Sequence, residues 1–282
     1  MNSKRNNRIY LDHSEIEILK PDMQRGRIKF AIFDFDGTIS LIREGWQQIM
    51  IPLMVEILMQ TPSHESQTEI ERIVRKYIAD TTGKQTIYQM IRLVEEIKKR
   101  GGMAEEPLVY KHQYHELLML RIRDRLEGLR KGKMYPEDWT VPGALDMLEK
   151  VKEFDVNCFL ASGTDENYVL DEANLLGVAD YFIGIYGALD DYKNFSKRMV
   201  IQRIIKENNL CGPELVAFGD GYVEIEDTKL AGGIAVGVAS NEYERKGIDE
   251  WKRERLIASG ADIIIPDFRQ SQLLIDYLME ET

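Results

Sequence analysis

The chain of 282 residues is 44% hydrophobic and 30% charged, a balance typical of a globular protein, and its length predicts one large domain with an insertion or two unequal domains. With 48 acidic and 37 basic residues the net charge is -11, which repels phosphate backbones and anionic lipid surfaces and disfavours nucleic acid as a partner. No apolar run approaches membrane-spanning length and the opening is polar, so we expect a cytoplasmic protein with no membrane partner. Because only two cysteines occur, we expect neither a disulfide framework nor a cysteine metal cluster.

Residues 1–26 are interpreted as a polar N-terminal extension. They contain one short alternating segment, Glu15-Ile16-Glu17-Ile18-Leu19, which is closed by Lys20-Pro21. Alternation of polar and apolar residues is typical of a strand with one buried face. We therefore expect an extra edge strand here, while the sequence does not indicate what the extension does.

The segment 27–40 is the one around which the sequence is organised. Its residues 28–33 are mostly β-branched or aromatic, which predicts a strand buried on both faces, as in a parallel sheet. Asp34 then lies at the carboxyl end of that strand, where ligands bind in open α/β sheets. Asp36 follows where Gly37 indicates a turning backbone. Two carboxylates this close predict a hard divalent metal such as Mg²⁺, or a raised pKa on one of them.

Residues 41–139 predict a mostly helical insertion. Their apolar residues recur at helical spacing, with almost no strand-like alternation. Breaks at Thr61-Pro62-Ser63, Thr81-Thr82-Gly83 and Arg100-Gly101-Gly102 divide the insertion into several helices. Because the insertion follows the carboxylate loop directly, we expect it to lie above the site as a cap that closes over substrate and excludes water.

Four side chains of the insertion are candidates for a role. Arg43 and Trp46 come just after the carboxylate loop and are expected to line the entrance to the site. His112 and His115 stand three residues apart on a predicted helix, but a metal centre would need a third ligand nearby. We interpret the two histidines as surface or packing residues.

From about residue 140 the strand and helix patterns alternate regularly, which predicts that 27–40 and 140–282 form one α/β core. Pro142 lies near the first turn of the helix that opens this part. The predicted strands are 156–161, 181–186, 215–218, 234–238 and 263–265. A helix is predicted at 166–176, after the first of these strands, and another at 196–208, after the second, with Ser196 as its N-cap.

The strand predicted at 156–161 ends in Ala161-Ser162-Gly163-Thr164, just before a helix. A hydroxyl, a glycine that allows close approach and free helix N-terminal amides then meet at one point, which suits the oxygens of a phosphate. The same residues would serve equally well as an N-cap with a tight turn. Both interpretations stand on the local sequence.

Lys197 falls in the first turn of the helix predicted at 196–208. A cation is unfavourable there because of the helix dipole, so another reason for its presence is expected. Neighbouring phosphate and carboxylate groups would supply that reason. Lys193, in the preceding loop, is a rival for the same role, and a lysine on the solvated face of a basic helix is the plain alternative.

Asp220 follows an apolar strand and precedes several acids at the start of a helix. A carboxylate at this strand end would face Asp34 and complete an oxygen-rich site for a hard cation. Glu224 and, as its substitute, Asp227 are acids of that helix, where negative charge near the start also favours the helix dipole.

The pattern Asp-x-Asp-Gly-Thr at residues 34–38 resembles the first motif of the haloacid dehalogenase superfamily. Three later segments resemble the other motifs in the expected order. Ser162 matches the second motif, Lys197 the third, and Gly219-Asp220 with Glu224 the fourth. At the position of Glu224, aspartate is more usual than glutamate. The resemblance covers the chain from about residue 27 onward. It implies a Rossmann-like parallel sheet flanked by helices, with an inserted all-helical cap as in the branch that includes phosphoglycolate phosphatase and beta-phosphoglucomutase.

The resemblance also implies a Mg²⁺-dependent phosphatase that acts on a small phosphorylated metabolite, such as a sugar phosphate or a phosphoglycolate-like acid. Asp34 would form an aspartyl-phosphate, and Asp36 would act as general acid and then as general base. The implied metal ligands are Asp34, the backbone carbonyl of Asp36, Asp220 and Glu224. The residues implied to bind phosphate or substrate are Thr38, Arg43, Lys84 in the loop between cap helices, Ser162, Gly163 and Lys197.

Three alternatives to a phosphatase stay open at this point. They are a phosphosugar mutase, a phosphonate-cleaving enzyme that forms an imine on a cap lysine, and a non-catalytic metabolite sensor. Within the family Asp36 argues against a dehalogenase, which has no leaving oxygen to protonate. The sequence names neither the substrate nor the oligomeric state.

Overall fold

The computed structural model describes residues 8–191, 196–210 and 212–280. Within these ranges seven strands form one sheet in the order β1-β7-β6-β5-β2-β3-β4. The strands are β1 (Glu17–Ile18), β2 (Phe30–Phe33), β3 (Asn157–Asp165), β4 (Phe182–Ala188), β5 (Leu215–Gly219), β6 (Ile234–Val238) and β7 (Ile263–Ile265). Every pairing is parallel except that of β1 with β7.

Four helices lie between β2 and β3 in the chain and form the inserted helical segment, named the cap from here on. They are α1 (Gln47–Met59), α2 (Gln67–Thr81), α3 (Thr86–Lys99) and α4 (Pro107–Arg130). The predicted breaks fall between them. The helices of the remaining described chain are α5 (Ala144–Glu153), α6 (Glu166–Leu175), α7 (Lys197–Glu207), α8 (Tyr222–Leu230), α9 (Glu250–Ala258) and α10 (Ser271–Met279), with 3-10 turns at Pro136–Trp139, Ala179–Tyr181 and Gly212–Glu214.

Strand β2 lies at the centre of the sheet, between β5 and β3. Its residues Ala31, Ile32 and Phe33 are fully buried, as an apolar strand covered on both faces requires. Phe33 pairs with Phe218 of β5 in register, and their rings stack with centroids 4.6 Å apart. The predicted α/β fold with a helical insertion is confirmed, and the parallel strands bring their carboxyl ends to one edge of the sheet.

Several strands differ from the predicted bounds by one or two residues, and β3 differs most. Strand β3 was expected to end at residue 161, but it extends to Asp165 with an irregular register between Ala161 and Asp165. The Ser162 hydroxyl accepts a hydrogen bond from the Thr164 amide at 3.0 Å, so part of the extension turns back on itself. In the N-terminal extension, only Glu17 and Ile18 pair with the sheet, so the predicted edge strand is present but short.

Within the described chain, none of the helices combines the length and the apolar character needed to cross a bilayer.

Candidate active site

Asp34 is the first residue after β2 and is almost completely buried. Its amide donates to the carbonyl of Phe218 at 2.9 Å, which anchors the residue to β5. Its Oδ1 accepts from the Phe35 amide at 2.7 Å and lies 2.7 Å from Lys197 Nζ. Burial raises the pKa of Asp34 well above its usual range, while the charge of Lys197 opposes that shift. This carboxylate is therefore fixed in place next to a cation.

Lys197 is the first residue of α7, whose N-cap Ser196 accepts a side-chain hydrogen bond from the Met199 amide at 3.2 Å. The ammonium group bridges Asp34 at 2.7 Å and Glu224 at 2.9 Å. Burial alone would lower the pKa of Lys197, but the two carboxylates raise it overall. The carboxylate neighbours expected for a lysine in a first helical turn are thus present. The rival Lys193 lies outside the described residues.

Asp36 lies on the turn that follows Asp34. Its Oδ2 accepts a hydrogen bond from the Thr164 hydroxyl at 2.7 Å, and its Oδ1 lies 3.9 Å from Arg43 Nε. Burial raises the pKa of Asp36, and the nearby Arg43 charge lowers it in part. The two aspartates of the first motif therefore have separate partners, with Lys197 beside Asp34 and Thr164 beside Asp36.

Asp220 follows β5 and reaches the same edge of the sheet. Its amide donates to Thr38 Oγ1 at 3.0 Å, which ties this loop to the turn after β2. Its Oδ2 lies 2.8 Å from the ammonium of Lys252. In the next turn, Glu224 Oε1 accepts from the Gly221 amide at 2.8 Å. The fourth-motif acids are thus held by both backbone and side-chain bonds.

Asp34, Asp220 and Glu224 can each direct one carboxylate oxygen into a common group whose atoms lie within 4.8 Å of one another. Lysines hold Oδ1 of Asp34 and Oδ2 of Asp220, which leaves a second oxygen on each. Carboxylate oxygens are the ligands that Mg²⁺ prefers, so the donor set fits a hard divalent cation. Asp227, the substitute for Glu224, instead lies 3.2 Å from Arg198, where burial raises its pKa to about 6.

One cavity between the sheet edge and the cap brings most of the predicted residues together. Those that line it are Asp34, Asp36, Arg43, Trp46, Lys84, Gly163, Lys197 and Asp220. Thr38, Ser162 and Glu224 are buried and do not line it. Thr38 and Ser162 instead accept hydrogen bonds from the Asp220 and Thr164 amides, so they shape the loops that carry the lining residues.

The loop between α2 and α3 contacts the core through glycines. Gly83 has a positive φ of +92°, and a Cβ there would come within 3.0 Å of Gly221 Cα. A Cβ on Gly163 would lie 3.1 Å from the carbonyl oxygen of Lys84. Arg255 of α9 donates to the carbonyl of Thr82 at 3.2 Å. The cap therefore meets the core directly beside the loops that carry Gly163 and Asp220.

The cap histidines differ in their surroundings. His115 lines the cavity with its ring centroid 4.1 Å from that of Tyr168, and burial and the Arg43 charge lower its pKa to about 4. His112 is exposed, with Nε2 3.9 Å from Asp190. Among the described residues, the acidic cluster at Asp34 is the one group with metal-binding geometry, and it includes neither histidine. Their interpretation as packing and surface residues fits this arrangement.

Sequence reasoning missed several charged residues around the site. Glu172 of α6 binds Arg43 through three hydrogen bonds of 2.7 to 3.2 Å. Lys252 of α9 contacts Glu242 at 2.7 Å as well as Asp220. Lys111 of α4 is buried and contacts Asp165 and Asp190 at 2.6 and 2.8 Å. Most of these partners are distant in sequence, and a solvated charge is the ordinary expectation for each of the three residues.

The chain belongs to the haloacid dehalogenase-like hydrolases, because the model of that family matches residues 28–232. This range contains each of the four motif segments and the cap. Comparison with curated proteins gives no match.

Solved structures with the same fold cover nearly the whole chain. Beta-phosphoglucomutase from Clostridium difficile is 17% identical with a TM-score of 0.59, and the alignment covers 90% of this chain and 100% of that one. A predicted phosphoglycolate phosphatase from Haemophilus somnus is 17% identical with a TM-score of 0.58, covering 89% and 98%. CbbY from Rhodobacter sphaeroides, solved in complex with phosphate, is 16% identical with a TM-score of 0.51, covering 86% and 95%. At these identities the likeness concerns the fold.

Proposed function

We propose that the protein is a Mg²⁺-dependent phosphatase that hydrolyses a small phosphorylated metabolite through an aspartyl-phosphate on Asp34. The observation that carries the proposal is the placement of Asp34, whose carboxylate is held beside Lys197 at the floor of a cavity that the cap covers. In this proposal residues 27–40 and 140–282 form the catalytic core and residues 41–139 the cap.

The nucleophile in this proposal is the carboxylate of Asp34. Its Oδ1 is already held by the Phe35 amide and the Lys197 ammonium, which fixes the direction of the carboxylate. A preorganised nucleophile avoids much of the entropy cost of reaching the reactive geometry. Attack on phosphorus forms a bond to Asp34 and releases the alcohol of the substrate.

Asp36 serves as general acid for the leaving oxygen and then as general base for the attacking water. Its raised pKa favours the protonated form that the first step requires. The Thr164 hydroxyl holds one of its oxygens at 2.7 Å and thereby orients the group. A raised pKa of this kind is common in groups that transfer a proton in catalysis.

In this proposal Lys197, the Gly163 amide and Ser162 bind the phosphoryl oxygens, with Thr38, Arg43 and Lys84 as further candidates. Donors aimed at developing negative charge in a water-poor cavity supply much of the catalysis in such reactions. Asp34, the Asp36 carbonyl, Asp220 and Glu224 would hold Mg²⁺, since the acid cluster fits a hard cation. When bound, the metal neutralises charge on the transferring phosphoryl group.

The phosphonate-cleaving alternative requires a cap lysine whose pKa is lowered so that it can form an imine. The buried cap lysine that lines the cavity is Lys111, and its carboxylate partners raise its pKa against the effect of burial. Lys84 is exposed. These surroundings favour phosphate ester hydrolysis over imine chemistry.

The test is phosphate release from a panel of sugar and small-acid phosphates with Mg²⁺, comparing the native protein with Asp34→Asn. We expect release that depends on Mg²⁺ and falls by at least about a thousandfold in the variant. Asp146→Asn removes an exposed carboxylate outside the cavity and is the matched control, for which we expect unchanged rates.

Unchanged release by Asp34→Asn would rule out the proposed nucleophile. Absence of release from every member of the panel would move the mutase or the sensor ahead of the phosphatase. A mutase would show slow hydrolysis and dependence on a sugar bisphosphate, whereas a sensor would bind a phosphate ester without turnover.

A further inference from the structure

We propose that the substrate is a phosphate monoester whose remaining part is neutral and rich in hydroxyl groups, with no second phosphate or carboxylate. This inference rests on the proposed phosphatase function and narrows its substrate class. It follows from the way in which the cations around the cavity are paired.

Arg43 is the first of these cations. Its guanidinium makes a bidentate contact with Glu172, with distances from 2.7 to 3.2 Å, and both side chains are buried. Asp36 lies 3.9 Å from its Nε. A second anion could bind Arg43 only by competing with carboxylates that the fold holds in place, and breaking a buried ion pair is costly.

Lys111 is the buried cation that the cap helices supply to the cavity. It contacts two carboxylates, Asp165 at 2.6 Å and Asp190 at 2.8 Å, and only 5% of the residue is exposed. Two carboxylates already compensate this ammonium, so a substrate anion could bind it only by displacing one of them.

Two further lysines complete the set among the described lining residues. Lys197 lies at the reaction centre beside Asp34 and Glu224, where the proposal has it bind the transferred phosphate and not a second anion. Lys84 is exposed, and its ammonium lies 5.8 and 5.7 Å from the ring centroids of Tyr88 and Tyr222, neither of which lines the cavity. Against these four cations the wall carries six carboxylates, namely Asp34, Asp36, Glu44, Asp165, Asp220 and Glu242.

The other polar groups of the wall are neutral and can bond to hydroxyls. The cap contributes Thr82, Thr86, Gln89 and Tyr114, of which Gln89 and Tyr114 are at least nine-tenths buried. His115 also lines the cavity, and its buried Nε2 has no hydrogen-bond partner among the described residues. An imidazole, an amide and several hydroxyls suit a polyol or sugar. Of the two substrate kinds expected from the sequence, sugar phosphates are favoured over phosphoglycolate-like acids.

The experiment compares kcat/KM for two matched pairs of substrates. Sorbitol 6-phosphate ends in a neutral CH₂OH group where 6-phosphogluconate has a carboxylate. Glycerol 1-phosphate and 3-phosphoglycerate differ in the same way on a shorter chain. We expect the neutral member of the better-used pair to be preferred by about tenfold or more, which is the size of one charge–charge contact that is largely screened by water.

Equal use of both members, or preference for the acid, would overturn this inference and leave the phosphatase intact. If the acid is preferred and Lys84→Gln abolishes that preference, the exposed lysine binds the second anion after all. If neither pair nor the wider panel releases phosphate, the phosphatase proposal fails and this inference fails with it.

A variant pair tests the physical cause. Asp165→Asn combined with Asp190→Asn frees Lys111, so the preference for the neutral substrate should fall by about tenfold. Asp171→Asn breaks a contact between α6 and Arg130 of the same cap helix as Lys111 but outside the cavity, and it should leave the preference unchanged. An unchanged preference in the double variant would show that the paired lysine is not its source.

Discussion

The two walls of the cavity are built on different principles. On the core side, each charged group follows a parallel strand or begins the helix after it, and backbone hydrogen bonds fix its loop, as at Asp34 and Asp220. On the cap side, the polar groups come from helices and the loop between them, and their main fixed charge is the Lys111 cluster. In the proposed function the core wall is therefore the reaction centre, and the cap wall selects the substrates that fit beside it. This division predicts that core changes alter catalysis itself and that cap changes alter closure or selectivity.

The largest effect is expected for Lys197→Met in the core wall. Without the ammonium, Asp34 and Glu224 face each other unpaired, and phosphoryl charge loses a donor, so kcat/KM should fall by about a thousandfold. Lys206→Met removes an exposed lysine from the same helix and is the control. The measurement is kcat/KM of both variants and the native protein by steady-state kinetics with saturating Mg²⁺.

Loss of a buried cation can also unfold the protein, because two uncompensated carboxylates cost about 3–5 kcal/mol. Lys197→Arg keeps the charge and should retain the fold, as circular dichroism would show. If a folded Lys197→Met variant keeps native kcat/KM, the role assigned to the lysine is wrong.

An intermediate effect is expected for Gly83→Ala, where the cap meets the core. The added Cβ would press on Gly221 Cα and displace the cap loop, so kcat/KM should fall by about 10- to 100-fold. Gly132→Ala also places a side chain at a positive φ, but with nothing within 4 Å. Both variants should lose about 1–2 kcal/mol of stability from the backbone strain, and only the first should lose activity.

Chemical denaturation and kinetics on both glycine variants separate the two contributions. Equal activity in both would indicate that the contact between cap and core does not matter for turnover. Loss of activity in Gly132→Ala alone would reverse the expected order.

The smallest effect concerns His115 and pH. Its pKa is about 4 in the fold and about 6.5 when unfolded, so as pH falls the unfolded chain binds the proton first. Native stability should therefore decrease between about pH 6.5 and pH 4, by about 1–2 kcal/mol after allowance for the partial solvent exposure of the ring.

His115→Gln cannot bind that proton and should show a smaller decrease over the same range. The measurement is urea denaturation at closely spaced pH values. His112→Gln is the control, since His112 is exposed on the same helix. Identical pH profiles for native protein and His115→Gln would contradict the prediction.

The sequence predicted the core better than the cap because its signals there are local. An apolar run such as 28–33 predicts both a buried strand and the position of its end, and the loop residues follow from chain order. The fold class, the family and the helical insertion were predicted from such patterns and are confirmed. The roles of the individual site residues stay predictions, although most of these residues line the same cavity.

The cap wall could not be predicted in the same way. Helical spacing shows that a segment is amphipathic, but it does not show which residue of a long polar face turns toward a neighbouring domain. Lys111 is such a case, because its carboxylate partners Asp165 and Asp190 lie far along the chain, beyond the end of the cap. Glu172 beside Arg43 and Lys252 beside Asp220 depend on tertiary packing for the same reason.

The short strand β1 has a consequence for behaviour at high concentration. Glu17 and Ile18 cover the outer side of β7 in antiparallel pairing, and the buried Glu17 carboxylate is held by Arg253 at 2.6 Å. An uncovered edge of a buried apolar strand is a template for strand addition by a second molecule. The extension thus shields an edge prone to intermolecular association, and a chain that lacks residues 1–26 should aggregate at lower concentration while its reaction centre is unaltered.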